Sequence, residues 1–159
     1  MAKKKKDREK NYKPTIANRK ARHEYIFLQK FEAGISLTGT EIKSIREAKV
    51  QMGEAYCYFK GEELFIKDMH ISPYSHGNLF NPDPRRERKL LLKKKELQKL
   101  KAKMEQGGLT VIPVKLYFTE RNIAKLEIAL SKGKKLYDKR QDLKEKDMKR
   151  NISRGTIDG

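Results

Sequence analysis

Apolar residues recur along the chain at two periods, and each switch between them marks an element boundary. Over residues 23–32, Tyr25, Phe27 and Phe31 fall on one face at period two and Ile26 and Leu28 on the other, which predicts a strand buried on both sides for part of its length. Gly34 offers a bend or bulge before Ile35 and Leu37. Residues 38–48 read as a short, half-exposed helix. Thr40 is placed to cap its first turn, Glu41 sits near its positive end, and Ile42 and Ile45 share a side. Alternation returns at Ala55, Tyr56, Cys57, Tyr58 and Phe59, a turn follows at residues 61–63, and residues 64–71 complete a hairpin. Pro73, Pro82 and Pro84 exclude a regular element from residues 72–84. The longest helix is expected next, opened by Asp83 or Pro84, striped by Leu91, Leu92, Leu97, Leu100 and Met104, and stopped by Gly107 and Gly108. Its polar face would carry Arg85, Arg86, Arg88, Lys89, Lys93, Lys94, Lys95, Lys99, Lys101 and Lys103. Residues 109–119 alternate again (Leu109, Val111 and Pro113 against Thr110, Ile112, Val114, Leu116 and Phe118), turn at residues 120–122, and pair back through residues 123–130.

Short antiparallel strands with interleaved helices predict a mainly β fold: a small closed β-barrel of the oligonucleotide-binding type, with flanking helices. The barrel domain is expected over residues 23–132. Outside it the pattern fails. Residues 1–22 hold ten basic and two acidic residues, a net +8, and read as a basic arm that is disordered when free. Beyond residue 133, Leu136, Tyr137, Leu143, Met148, Ile152 and Ile157 are too sparse for a continuous helical stripe, so residues 133–159 read as a second basic tail, flexible without a partner. No internal repeat of fixed period is found.

Charge narrows the function. The 39 Lys and Arg outnumber the 21 Asp and Glu, and the resulting +18 points to a polyanionic partner. Because these cations are concentrated on two tails and one expected helix, nucleic acid is the best match. No apolar run is long enough for a membrane span, and Lys3 to Lys6 are followed by no apolar stretch that would make a signal peptide, so a cytoplasmic protein is predicted. The single cysteine, Cys57, excludes an internal disulfide and reads as a buried small residue.

Catalytic motifs are missing. The sequence has no phosphate-binding loop, nucleophile elbow or metal-binding His/Cys cluster, and no cofactor is implied. His23, His70 and His76 are scattered and read as structural or RNA-contacting residues. Tyr25, Tyr56, Tyr58, Tyr74 and Tyr117 are candidates for base stacking, although alternating aromatics in strands commonly face a core. Among nucleic-acid binders, the composition admits a ribosomal or ribosome-assembly protein that binds ribosomal RNA.

A set of segments in fixed order resembles one family. They are Asn18 to Tyr25, Phe31 to Ile35, Gly39 to Ser44, His70 to Tyr74, Asp83-Pro84, Arg88 to Leu92 and Gly133 to Arg140, and together they resemble the small protein B (SmpB) family, the SsrA-binding proteins of bacteria. The resemblance implies a six-stranded oligonucleotide-binding barrel that grips the tRNA-like domain of transfer-messenger RNA (tmRNA). It implies that the protein acts as a monomer and, with elongation factor Tu and alanyl-tRNA synthetase engaged through the RNA, takes part in trans-translation, delivering the RNA to stalled ribosomes for rescue and peptide tagging. The family's contacts to that domain fall on Glu32, Leu91 and Lys125. Where the family often has Asn or His, this chain has Lys93, a residue suited to a phosphate contact. Periodicity alone would put Leu91 in the core, whereas the resemblance puts it against RNA. The tail residues Lys134, Lys135, Tyr137, Asp138, Lys139 and Arg140 match a segment that becomes helical in the mRNA channel near the decoding centre, among ribosomal RNA. The i,i+4 pair Glu145 and Lys149 would support such a helix.

Overall fold

The computed structural model describes residues 13–75 and 81–134. In chain order the elements are β1 (Ile16–Ala17), α1 (Arg19–Glu24), β2 (Tyr25–Ile35), α2 (Gly39–Arg46), β3 (Val50–Gln51), β4 (Tyr56–Lys60), β5 (Glu63–Lys67), β6 (His70–Ile71), β7 (Arg88–Leu91), α3 (Lys94–Glu105), β8 (Thr110–Phe118) and β9 (Ala124–Gly133). Hydrogen bonding orders the main sheet β1-β8-β4-β5-β7-β2-β9, and β8 also pairs with β9. Six strands therefore close into a ring, with β1 laid on the outside edge of β8. All six ring pairings are antiparallel. Closure pairs every ring strand on both sides over at least part of its length, which limits the edge available for pairing with other chains. The fold is mainly β with flanking helices, as the hydropathy pattern predicts.

The core is built by alternation. Leu64 faces Leu90, Ala33 faces Leu126, and Leu126 faces Leu116, all buried inside the ring. Leu100 of α3 and Ile45 of α2 complete the same cluster, both fully buried.

Several local expectations are corrected. The helix expected from residue 83 or 84 does not start there: residues 88–91 form β7, and α3 begins only at Lys94. Inward Arg88 and Leu90 alternate with outward Lys89 and Leu91, a period of two that the run of leucines conceals. Only the basic residues from Lys94 onward lie on the helix. Its apolar stripe is Leu97, Leu100 and Met104, which pack on the core.

Thr38, not Thr40, caps α2. Its hydroxyl accepts from the Glu41 N–H at 3.3 Å and the Glu41 carboxylate accepts from the Thr38 N–H at 2.9 Å, a reciprocal capping box. Gly34 makes no bulge: β2 continues through it in register with a partner on each side, and the irregularity lies at Leu28, between paired residues Phe27 and Gln29. Ile26 and Leu28 are not buried on a second face but point outward, Leu28 being 53% exposed. His70 and Ile71 leave the hairpin and pair with Val50 and Gln51. The strict alternation expected over residues 109–119 fails: residues 111–114 are all buried, and the register with β9 shifts between Pro113 and Lys115.

Structure also begins earlier than residue 23. Asn18 is buried, accepts from the Ala21 N–H at 3.1 Å to cap α1, and donates to the carbonyls of Pro113 (2.8 Å) and Met52 (3.2 Å). This bolts α1 onto β8, and His23 lies in that helix rather than in a strand. His76 and the tail beyond Lys134 lie outside the described residues.

Candidate nucleic-acid interface

The outer wall of the ring carries one row of side chains fixed by strand register. Leu91 on β7 lies opposite Gly34 on β2; Gly34 lies opposite Lys125 on β9; Lys125 lies opposite Tyr117 on β8. Four strands thus present Leu91, Gly34, Lys125 and Tyr117 across about 14 Å, three interstrand spacings. Gly34 keeps the row low. A methyl group there would sit 3.3 Å from Leu91 Cβ, so any side chain would push Leu91 aside.

Leu91 is 55% exposed, which decides between its two readings: it is a surface residue. Its inward neighbour Leu90 is the core residue. One step along β2 on the same face, Glu32 lies opposite Glu127, which lies opposite Lys115. The Tyr117 hydroxyl reaches across β9 to donate to the Glu32 carboxylate, while Lys30 and Lys115 each approach Glu127 at 3.5 Å. Burial, followed by the hydrogen bond to Glu32, pushes the Tyr117 phenol above its ordinary value. The phenol therefore stays protonated and remains a donor at neutral pH. Lys115 Nζ stands 5.3 Å from the Tyr117 ring centroid. The wall therefore offers a hydrogen-bonded carboxylate, an apolar side chain, an aromatic ring and cations within one neighbourhood.

Lys93 follows Leu91 by two residues and is the N-cap of α3, its N–H donating to the Glu96 carboxylate at 3.4 Å. A lysine is a poor cap, and with Lys94 and Lys95 it concentrates positive charge where the helix dipole is already positive. Such a helix start attracts anions. Lys134, the first of the expected tail residues, closes the described segment: its N–H donates to the Glu24 carbonyl at 2.8 Å and its ammonium to the Arg22 carbonyl at 3.0 Å. Lys135, Tyr137, Asp138, Lys139 and Arg140 lie outside the described residues.

Beneath the wall a buried ion cluster, not read from the sequence, sets the position of β7. Arg88, counted there as part of a solvated basic face, is 0% exposed, and Glu41 is 3% exposed. Arg88 Nε donates to Glu41 at 2.6 Å, Arg86 Nη2 to the other oxygen at 2.6 Å, and Arg88 Nη1 to the Met69 carbonyl at 2.8 Å. Burial alone would raise the Glu41 pKa, but hydrogen bonds from Arg86, the Thr38 N–H and Arg88 outweigh it and hold the carboxyl below its ordinary value. The alternation Arg88-Lys89-Leu90-Leu91 was the available signal, since an inward arginine requires a buried carboxylate. Cys57 is buried as expected, and burial raises its thiol pKa.

Comparison with known proteins agrees with this architecture. The family model described as SmpB protein matches residues 15–157. The SsrA-binding protein of Cytophaga hutchinsonii is 55% identical over 139 residues, covering 87% of this chain and 91% of that protein. The SsrA-binding protein of Christiangramia forsetii is 51% identical over 139 residues, covering 87% and 88%. A solved chain from work described as "tmRNA-SmpB: a journey to the center of the bacterial ribosome" is 49% identical and superposes with a TM-score of 0.67, covering 77% of this chain and 86% of that one. With the family model matching residues 15–157 and about half of its residues shared with these relatives over most of its length, the chain belongs to the SmpB family of SsrA-binding proteins.

Proposed function

We propose that this protein binds transfer-messenger RNA and acts with it in trans-translation on the ribosome. The observation that carries the reading is that Glu32, Leu91 and Lys125, separated by up to 93 positions in sequence, stand on one outer wall of a ring whose relatives are SsrA-binding proteins. Lys125 and Lys93 would neutralise phosphates of the tRNA-like domain, Glu32 would accept from a ribose hydroxyl or a base amino group, and Leu91 would pack on an unstacked base. Tyr117 joins this set by holding Glu32.

The tail, through Lys134, Lys135, Tyr137, Asp138, Lys139 and Arg140, would order against ribosomal RNA, with Tyr137 stacking on a base. Elongation factor Tu and alanyl-tRNA synthetase would meet a monomeric protein through the RNA it carries, in the cytoplasm. The protein's part is adaptation rather than catalysis.

The test is competition for the full-length protein between the isolated tRNA-like domain of tmRNA, bulk tRNA and ribosomal RNA fragments. Preferential retention of the tRNA-like domain is expected. A preference for ribosomal RNA alone would overturn the reading in favour of a ribosomal or ribosome-assembly protein.

A further inference from the structure

The hairpin β4–β5 and its neighbour β7 turn a different set of side chains outward. Tyr56 and Tyr58 flank buried Cys57, and Phe65 lies between buried Leu64 and Ile66, so strand alternation forces all three rings to the outer surface. They line up. Tyr56 and Tyr58 are 6.1 Å apart between centroids at 44°, and Tyr58 and Phe65 are 6.4 Å apart at 34°. Tyr56, at one end of the line, is 37% exposed.

Lysines are interleaved with the rings. Lys60 Nζ stands 6.0 Å from the Tyr58 centroid and 5.4 Å from that of Phe65; Lys67 lies opposite Tyr56 and Lys89 opposite Phe65 in the strand register. Glu87 accepts from both the Tyr58 hydroxyl and Lys60, and Glu63 accepts from Lys89 at 3.1 Å, so the ammonium groups are held beside the rings. Leu91 is two residues beyond Lys89 on the same face of β7, which makes this patch continuous with the Leu91–Lys125 wall.

β4, β5 and β7 are consecutive neighbours in the ring, so their outward side chains form one continuous face. Aligned rings with adjacent cations are the combination that holds a single strand without reading its sequence, because every base has a stacking face and every nucleotide a phosphate. A duplex hides those faces.

We propose that the outer face of β4 and β5 is a second RNA-contact surface, where Tyr56, Tyr58 and Phe65 stack on the bases of an unpaired RNA segment and Lys60, Lys67 and Lys89 hold its phosphates. It rests on the reading of the partner as RNA but takes a different form of RNA from the folded tRNA-like domain.

The experiment measures fluorescence anisotropy of a labelled, unstructured oligouridylate and, separately, of the tRNA-like domain, each with the full-length protein. Tyr56→Ala is expected to weaken oligouridylate binding about tenfold, as loss of one stacked base does. Tyr56→Phe retains the ring and is expected to bind like the parent. Lys67→Gln is expected to lower the salt slope by about 0.7, one contact to a single strand. All three variants are expected to keep the parent affinity for the tRNA-like domain, which also reports that they fold. Oligouridylate binding unchanged in Tyr56→Ala, or lost equally in Tyr56→Phe, overturns the proposal. A parent protein that binds the tRNA-like domain but not oligouridylate overturns this proposal alone, and one that binds neither overturns both readings.

Discussion

Tyr117 donates its hydroxyl to Glu32 from the far side of an intervening strand, so a residue of β8 fixes the carboxylate of β2. Removing the donor leaves Glu32 free to turn among its rotamers. Tyr117→Phe is expected to weaken binding of the tRNA-like domain about fivefold, the effect of about 1 kcal/mol for one hydrogen bond. If the two residues act as a unit, Glu32→Gln will cost less in the Tyr117→Phe background than in the parent, and a double-mutant cycle by anisotropy titration measures that coupling. Fully additive losses would show that they contact RNA independently.

Adjacent leucines on β7 are expected to behave oppositely. Leu90 is buried and Leu91 is more than half exposed. Leu90→Ala is expected to cost about 2–5 kcal/mol of stability through the cavity it leaves. Leu91→Ala is expected to change stability by no more than about 0.5 kcal/mol, as at an ordinary surface site, while weakening RNA binding. Urea unfolding paired with anisotropy separates the two effects.

Acid is expected to loosen the link between α2 and β7. The Glu41 carboxyl is held below its ordinary value of 4.5 in the folded protein, so its contribution to stability is complete above that pH and is lost as pH falls through the lower, folded value. Glu41→Gln leaves Arg88 buried without its counter-charge, at a cost of about 3–5 kcal/mol. The variant is also expected to lose part of the parent's acid dependence, read from urea midpoints across an acid pH series.

Lys125→Ala is expected to reduce affinity for the tRNA-like domain and to lower the salt slope by about 0.9, one phosphate contact to a helical segment. An unchanged slope would mean that Lys125 faces solvent in the complex.

Truncation after Lys134 preserves its backbone bond to Glu24. The shortened protein is expected to bind the tRNA-like domain like the parent but to fail in peptide tagging on stalled ribosomes, measured by reconstituted translation. Loss of RNA affinity instead would place the tail in RNA recognition.

Legibility in the sequence followed from how each element spends its residues. The β4–β5 hairpin and the β8–β9 ribbon were readable because each is a pair of apolar runs joined by a short polar turn, although alternation fails in the ribbon, where residues 111–114 and 128–131 are all buried. The stretch around Arg88 was not. Leu90, Leu91 and Leu92 in a row fit a helical stripe as well as a strand, and an inward arginine breaks the rule that charge marks the solvent face; only its buried partner Glu41, 47 residues away, resolves the ambiguity. The same distance problem hid Asn18, whose amide is satisfied by Met52 and Pro113. Glu32, Leu91 and Lys125 were named through resemblance, and register then accounts for their sharing a wall, which no local pattern could show. Tyr117 stood among five candidate stacking tyrosines, and its bond to Glu32 required the fold.

Strand β9 gives the molecule a fixed internal measure. Lys125 sits near one end and Gly133 at the other, where it is paired with Tyr25. Eight residue steps of extended chain, hydrogen-bonded to β2 and β8, hold these points about 27 Å apart. An RNA docked at the Lys125 wall and whatever the tail reaches from Lys134 are therefore coupled by a stiff ruler rather than a tether, so placing one of them sets the search radius of the other.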